Sequence, residues 1–380
     1  MTRIPFYRHD LGAPEVEAFR TALAGPILTT GDAVADFERR FATALGAEHA
    51  VGVTSCTGAL HLALLALGVG PGDEVLTTPL TCIATATAIL QAGARPVFVD
   101  VEPETGNLDV AQLEAALTPR TRAVVPVHLF GQMCDMRALR AVADRHGLVV
   151  VEDAAHCVEG TRDGVRPGAL SEAACFSFYA TKSLTSGEGG ALVVRDAGLA
   201  EQLRLLRLHG MTSSANERER RGYTPWDMVV MGWKYNMDNL QAAILIPQID
   251  RLAANLARRR ALAARYTERL RGVDGVRLPA VLPDVAHAWH LFTVQVDGHD
   301  RDAVVAALGR AEVGVTVNYP PVHLTRYFRD AYGHGPGEFP VAERIGAATI
   351  SLPFYATMPE ADVDEVVARL AGILEVPRSV

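Results

Sequence analysis

Leu148-Val149-Val150-Val151-Glu152-Asp153-Ala154-Ala155-His156 is an apolar run closed by two acids. A run with no polar alternation reads as a strand buried on both faces, the kind found inside a parallel sheet covered by helices. Working outward, similar runs recur at Glu74-Val75-Leu76-Thr77-Thr78, Pro96-Val97-Phe98-Val99-Asp100, Ala123-Val124-Val125-Pro126-Val127 and Ala191-Leu192-Val193-Val194, separated by helical patterns. This alternation predicts an α/β fold with a mainly parallel central sheet flanked by helices. Ligands of such sheets collect at the carboxyl ends of the strands. Thr78, Asp100, His128, Asp153 and the segment from Ser177 to Lys182 fall there.

Lys182 stands in Ser177-Phe178-Tyr179-Ala180-Thr181-Lys182-Ser183-Leu184-Thr185-Ser186-Gly187-Glu188-Gly189-Gly190, where it closes a strand-like run and opens a Gly-rich turn. Most lysines are solvated surface charges. An amine held in a partly desolvated pocket loses proton affinity and attacks carbonyls, the Schiff-base chemistry that binds pyridoxal phosphate. Gly187, Gly189 and Gly190 permit the tight backbone that presents it.

Thr54-Ser55-Cys56-Thr57-Gly58-Ala59-Leu60-His61 is a small-residue turn that opens a helix, suited either to an anion on its free N–H groups or to a plain Ser/Thr cap. Asp153 suits a protonated pyridine nitrogen, which keeps the ring an electron sink, and equally an N-cap of the next helix. His156 reads as a donor to a cofactor ring or as an ordinary satisfied histidine, and Ser177 as a further hydroxyl for a phosphate.

The chain has 380 residues, 49% hydrophobic and 21% charged, enough for one large domain and a smaller one. A formal charge of −8 argues against nonspecific nucleic-acid binding. No apolar stretch approaches a membrane span and no signal-peptide core follows Met1, so a cytoplasmic protein is expected. The 5 cysteines form no CxxC pair and read as mostly small buried residues; the 12 histidines show no metal spacing.

Residues 212–223 are polar and charged and read as a surface excursion. Helical patterning resumes at Asp238 and continues as an Ala/Arg/Leu-rich helix from Arg251 to Leu270, which would bridge two domains. The expected division is a large domain over 1–250, including an N-terminal arm, and a small C-terminal α+β domain over 251–380 beginning with that helix. The small domain would hold His290-Leu291-Phe292-Thr293-Val294-Gln295-Val296, a helix from Arg301 to Leu308 and a last helix after Pro359.

The chain resembles the DegT/DnrJ/EryC1/StrS family of sugar aminotransferases, within the type I aspartate aminotransferase superfamily, over nearly its whole length. The resemblance rests on Leu28-Thr29-Thr30-Gly31, Ser55-Cys56-Thr57-Gly58-Ala59-Leu60-His61, Pro71-Gly72-Asp73-Glu74-Val75, Val127-His128-Leu129-Phe130-Gly131-Gln132, Glu152-Asp153-Ala154-Ala155-His156, Gly187-Glu188-Gly189-Gly190, His209-Gly210-Met211 and Leu240-Gln241-Ala242-Ala243-Ile244. It implies the type I fold of pyridoxal-phosphate-dependent transferases. It implies that Lys182 holds pyridoxal 5'-phosphate as a Schiff base and shuttles the proton, with pyridoxamine phosphate as intermediate. Asp153 would pair with the pyridine nitrogen, His156 would lie near the ring hydroxyl, and Thr57, Gly58 and Ser177 would hold the phosphate. It implies a homodimer with shared sites, Asn236 reaching the neighbouring subunit's phosphate. Tyr319 and His323, in Asn318-Tyr319-Pro320-Pro321-Val322-His323-Leu324, would contact substrate.

Two departures stand out: Cys82 occupies a cofactor-facing position where many members have a stacking aromatic residue, and Ser183 stands where many have asparagine. The expected reaction moves an amino group from an amino acid, L-glutamate, to a keto group of a nucleotide-linked sugar. A keto-cyclitol or free keto-sugar acceptor is the alternative. A pyridoxamine-phosphate sugar dehydratase, whose branch lacks the lysine, and a non-catalytic relative are disfavoured.

Overall fold

A computed structural model of the protein describes residues 3–213, 216, 219–220 and 225–375. Of the surface excursion expected over 212–223, residues 214, 215, 217, 218 and 221–223 lie outside the described residues. In chain order the strands are β1 (His49–Val53), β2 (Glu74–Thr77), β3 (Arg95–Phe98), β4 (Thr121–Val125), β5 (Val149–Asp153), β6 (Thr161–Arg162), β7 (Ala173–Ser177), β8 (Gly190–Val194), β9 (Val276–Arg277), β10 (Val285–Ala286), β11 (Phe292–Val296) and β12 (Thr349–Leu352).

Seven of them form one sheet in the order β1-β8-β7-β5-β4-β2-β3. β7, β5, β4, β2 and β3 run parallel, and β8 is antiparallel to both its neighbours. The apolar runs are strands because helices cover both faces. On one face the helix Cys56–Ala66 buries Ala59, Leu60, Leu62, Ala63 and Leu64, which join Val51, Val151, Cys175 and Leu192 of the sheet in one apolar cluster. On the other, Phe37 and Phe41 of the helix Asp32–Leu45 meet Phe178 and Phe176 edge-on at 5.4 and 5.2 Å. These four rings are 0% exposed, and full burial of such a side chain contributes roughly 1.5–3 kcal/mol.

A second, three-stranded antiparallel sheet, β12-β11-β9, packs with the helices Leu252–Leu270, Arg301–Arg310 and Glu360–Leu374 around a separate apolar cluster that includes Tyr266 and Phe292. The helical stretch expected from Asp238 to Leu270 is two helices, Asn239–Ile249 and Leu252–Leu270. The N-terminal arm crosses to this second cluster, where Ile4 pairs with Val313.

Contacts among the described residues tie the parts of the chain that carry the two sheets, and β6 and β10 form one of them, pairing as a small sheet of their own. Val322 N–H donates to Pro79 O at 2.8 Å. The Asp100 carboxylate, past the end of β3, accepts N–H bonds from Val341 and Ala342 at 3.0 and 2.9 Å and so satisfies the start of the helix Pro340–Ala348. Among the described residues no helix is long and apolar enough to cross a membrane.

Candidate active site

A cavity of ≈ 420 Å³ opens at the carboxyl ends of β5 and β7, and its walls include Thr57, Cys82, Asp153, His156, Ser177, Lys182 and Tyr319. Not every polar residue expected at a strand end reaches it. Asp100 caps a helix, Thr78 accepts the Leu80 N–H at 3.1 Å, and His128 is wholly buried against Glu152 at 2.6 Å.

One end of the cavity is the start of the helix Cys56–Ala66. Ser55 caps it, its hydroxyl accepting the Gly58 N–H at 3.0 Å. That contact takes up the Gly58 donor, and the N–H groups left without intrahelical carbonyls are those of Cys56 and Thr57. Gly190 lets β8 pass directly beneath: a Cβ there would lie 2.4 Å from Ser55 C and 2.6 Å from Cys56 N.

Asp153 ends β5 and is 5% exposed. Its Oδ2 accepts the Thr85 hydroxyl at 2.7 Å, and its Oδ1 accepts the Ala155 N–H at 3.2 Å and faces the Cys56 thiol at 3.9 Å. No cation neutralises it within those contacts, so the carboxylate is set to meet a positive group from the cavity.

His156 Nδ1 accepts the Phe130 N–H at 3.2 Å, which leaves the hydrogen of the neutral ring on Nε2. Burial first, and then the Lys182 charge, push its pKa well below 6.5. Nε2–H is therefore a neutral donor, and it meets Tyr319 Oη at 3.2 Å.

Lys182 lies beyond β7, not at the end of a strand: β7 stops at Ser177, and a turn in which Lys182 N–H donates to Tyr179 O at 2.9 Å carries the lysine back over the cavity. Burial lowers its ammonium pKa below the ordinary 10.5, against the pull of Asp153. The amine is thus readied for nucleophilic attack.

Three expected site residues take other places in this chain. Gly58 serves the helix cap, as above. Asn236 is not on the cavity wall; its amide donates to the Thr30 and Thr29 hydroxyls at 2.8 and 3.3 Å, and Lys234 bonds its carbonyl oxygen. His323 is 0% exposed, with Nε2 3.1 Å from Glu343 and its ring 4.8 Å from that of Phe339, and it is not on the cavity wall.

Sequence reasoning missed Thr85 and His290, and assigned no role to Phe6 itself. Phe6 and His290 line the cavity, and the His290 ring lies 4.4 Å from that of His156. None carries a motif; each is brought in by long-range packing. Cys56, Cys134, Cys157 and Cys175 are buried and Cys82 is exposed, all as free thiols.

The donor set fits a phosphorylated, carbonyl-bearing pyridine: free N–H groups and hydroxyls for a dianion, a buried carboxylate without a cation, and an amine of lowered basicity facing one cavity. The model of the DegT/DnrJ/EryC1/StrS aminotransferase family matches residues 9–371, and the chain belongs to that family, as a pyridoxal-phosphate-dependent sugar aminotransferase. Spore coat polysaccharide biosynthesis protein SpsC of Bacillus subtilis (strain 168) is 43% identical over 378 residues, 98% of this chain and 97% of that protein. DesV of S. venezuelae, solved in complex with a ketimine intermediate, shares 37% identity at a TM-score of 0.92, with 100% of both chains covered. DesI, solved in the presence of its TDP-sugar product, shares 33% identity at a TM-score of 0.87, covering 97% of this chain and 92% of its own. Other structures at a TM-score of 0.92 and 28% identity hold PLP and PMP forms.

Proposed function

We propose that the protein transfers the amino group of an amino acid, L-glutamate, to the keto carbon of a nucleotide-linked sugar. The observation that carries the reading is that Lys182, Asp153 and the helix start at Cys56 and Thr57 face one cavity. The TDP-sugar product of DesI supports the nucleotide.

When bound, pyridoxal phosphate supplies the carbonyl that Lys182 captures and the sink for the electron pair of a broken C–H bond. The N–H groups of Cys56 and Thr57 and the hydroxyls of Thr57 and Ser177 hold its phosphate, where the positive end of the helix dipole favours an anion. Asp153 holds the pyridine nitrogen in its protonated form. The His156 Nε2–H would turn from Tyr319 Oη, its present partner, to the ring hydroxyl. The Lys182 Nζ would hold the proton taken from one carbon and return it to another, a role suited to an amine that burial has made less basic. Tyr319, facing His156, contacts the sugar.

A homodimer completes the site, with Asn236 of each subunit serving its partner's phosphate. The exposed apolar side chains of Trp226, Met228, Val229, Val230 and Met231, just before Asn236, support a covering second copy. The division into 1–250 and 251–380 is likewise proposed, on the two sheets and their separate apolar clusters.

The test is a panel of keto-sugar nucleotides with L-glutamate, read as 2-oxoglutarate formed. Turnover of a free keto-cyclitol in place of every nucleotide substrate would overturn the acceptor assignment. Lys182→Ala should lose both visible absorption and turnover, and amination retained in that variant would overturn the mechanism.

A further inference from the structure

Two threonines beside the cavity have no part in the reaction as described. Thr85, the third residue of the helix Ile83–Gln91, is wholly buried and donates its hydroxyl to Asp153 Oδ2 at 2.7 Å. Thr81, 2% exposed on the preceding turn, places its hydroxyl oxygen 2.9 Å from that of Thr85. A threonine hydroxyl has a single hydrogen, and an ionised carboxylate only accepts. Thr85 therefore spends its hydrogen on Asp153, and the contact between the threonines runs the other way, with Thr81 donating to Thr85.

We propose that Thr81 and Thr85 form a directed hydrogen-bond relay that positions Asp153 against the cofactor's ring nitrogen and sustains its negative charge there. The inference rests on the reading of Asp153 as the partner of that nitrogen. Both carboxylate oxygens are pinned from the protein side, Oδ2 by Thr85 and Oδ1 by the Ala155 N–H at 3.2 Å, so the plane of the carboxylate is fixed. A hydrogen bond to a charged acceptor is among the stronger kinds, and a donor that itself accepts a bond is polarised further. Thr85 is β-branched and sits in a helical turn, so few rotamers compete with the observed one. Both threonines are positioning residues: Thr85 does not line the cavity, and Thr81, which contributes to its wall, reaches Asp153 only through Thr85.

The test uses pyridoxamine phosphate, which makes no covalent bond to Lys182, and a ring-nitrogen isotope label read by NMR across pH. In Thr85→Val the dissociation constant should rise about tenfold, the loss of one charge-assisted hydrogen bond, and the midpoint of ring-nitrogen protonation should fall by about one pH unit. Thr81→Val should move both readouts the same way by about threefold, and Thr85→Ser, which keeps the hydroxyl, should restore wild-type values. Wild-type affinity and midpoint in Thr85→Val, alongside a shift of both in Asp153→Asn, would overturn the relay and leave the aspartate's role standing. If Asp153→Asn itself moves neither, the reading of Asp153 fails. Should a thermal melt show Thr85→Val unfolded, Thr81→Val decides, and a wild-type midpoint there overturns the relay.

Discussion

Gly190 opens β8 beneath the start of the helix Cys56–Ala66, and Gly190→Ala should damage cofactor binding through the backbone alone. The added Cβ would lie 2.4 Å from Ser55 C, 2.6 Å from Cys56 N and 2.7 Å from Ser55 O, where ordinary contact begins at 3.4 Å. Something has to move by about 1 Å, and overpacking of this kind costs about 1–3 kcal/mol. β8 is the less free to yield, since Gly190 is paired with Val53 on one side and Ser177 on the other. The helix start therefore shifts, taking the Cys56 and Thr57 N–H groups off their target. A displacement of that size in a binding constellation costs on the order of a hundredfold.

The assay is the dissociation constant of pyridoxamine phosphate beside urea unfolding. Gly187→Ala is the control: Gly187 has φ +84° and open space around its missing Cβ, so it should lose about 1–2 kcal/mol of local stability and keep its affinity. Wild-type affinity in Gly190→Ala would refute the assignment of the phosphate to this helix start.

Other outcomes are expected. Because burial lowers the Lys182 pKa, capture of pyridoxal phosphate by apoenzyme should accelerate with a midpoint below pH 10.5. The unfolded chain holds that proton more tightly, so apoenzyme stability should rise with pH through the same window, and Lys182→Met should remove that slope. Tyr319→Phe removes the oxygen facing His156 Nε2 and should raise the KM for the sugar about fivefold with little change in kcat, measured by steady-state kinetics. Glu159→Leu leaves the Arg259 guanidinium, now 2.5 Å from Glu159 and nearly buried, without a carboxylate and with only the Ala288 carbonyl to bond among the described residues. Urea denaturation should show a loss of roughly 3–5 kcal/mol, most of it recovered in the double variant with Arg259→Met.

The parallel part of the sheet was legible because β2, β4 and β5 are rich in Val and Leu and buried on both faces. β1 and β7 were harder to read, being His-Ala-Val-Gly-Val and Ala-Ala-Cys-Phe-Ser, small residues with little strand preference of their own. The strand-like run up to Lys182 misled by its apolar Phe178 and Tyr179: Phe178 is buried by packing against Phe37 and Phe41 after the strand has ended. Lys182, Asp153, Thr57 and Ser177 were readable as chemistry because their neighbours made the pattern. Thr85 and His290 were not, since a threonine in Ala84-Thr85-Ala86 and a histidine in Trp289-His290-Leu291 gain meaning only from residues far along the chain.

The cap that Asp100 places on the helix Pro340–Ala348 bears on how acceptor preference can change. Tyr319 packs against the apolar cluster containing Ala342 and Ile345, and a Cβ on Gly346 would lie 2.9 Å from Tyr319 O. The Tyr319 wall is therefore bolted to the end of β3 and cannot swing aside without stripping two N–H groups of their acceptor. The cavity behaves as a mould more than a jaw. A different sugar would be accommodated by exchanging the side chains that line it, a change open to single substitutions at Phe6, Asn318 or Tyr319 with the frame left intact.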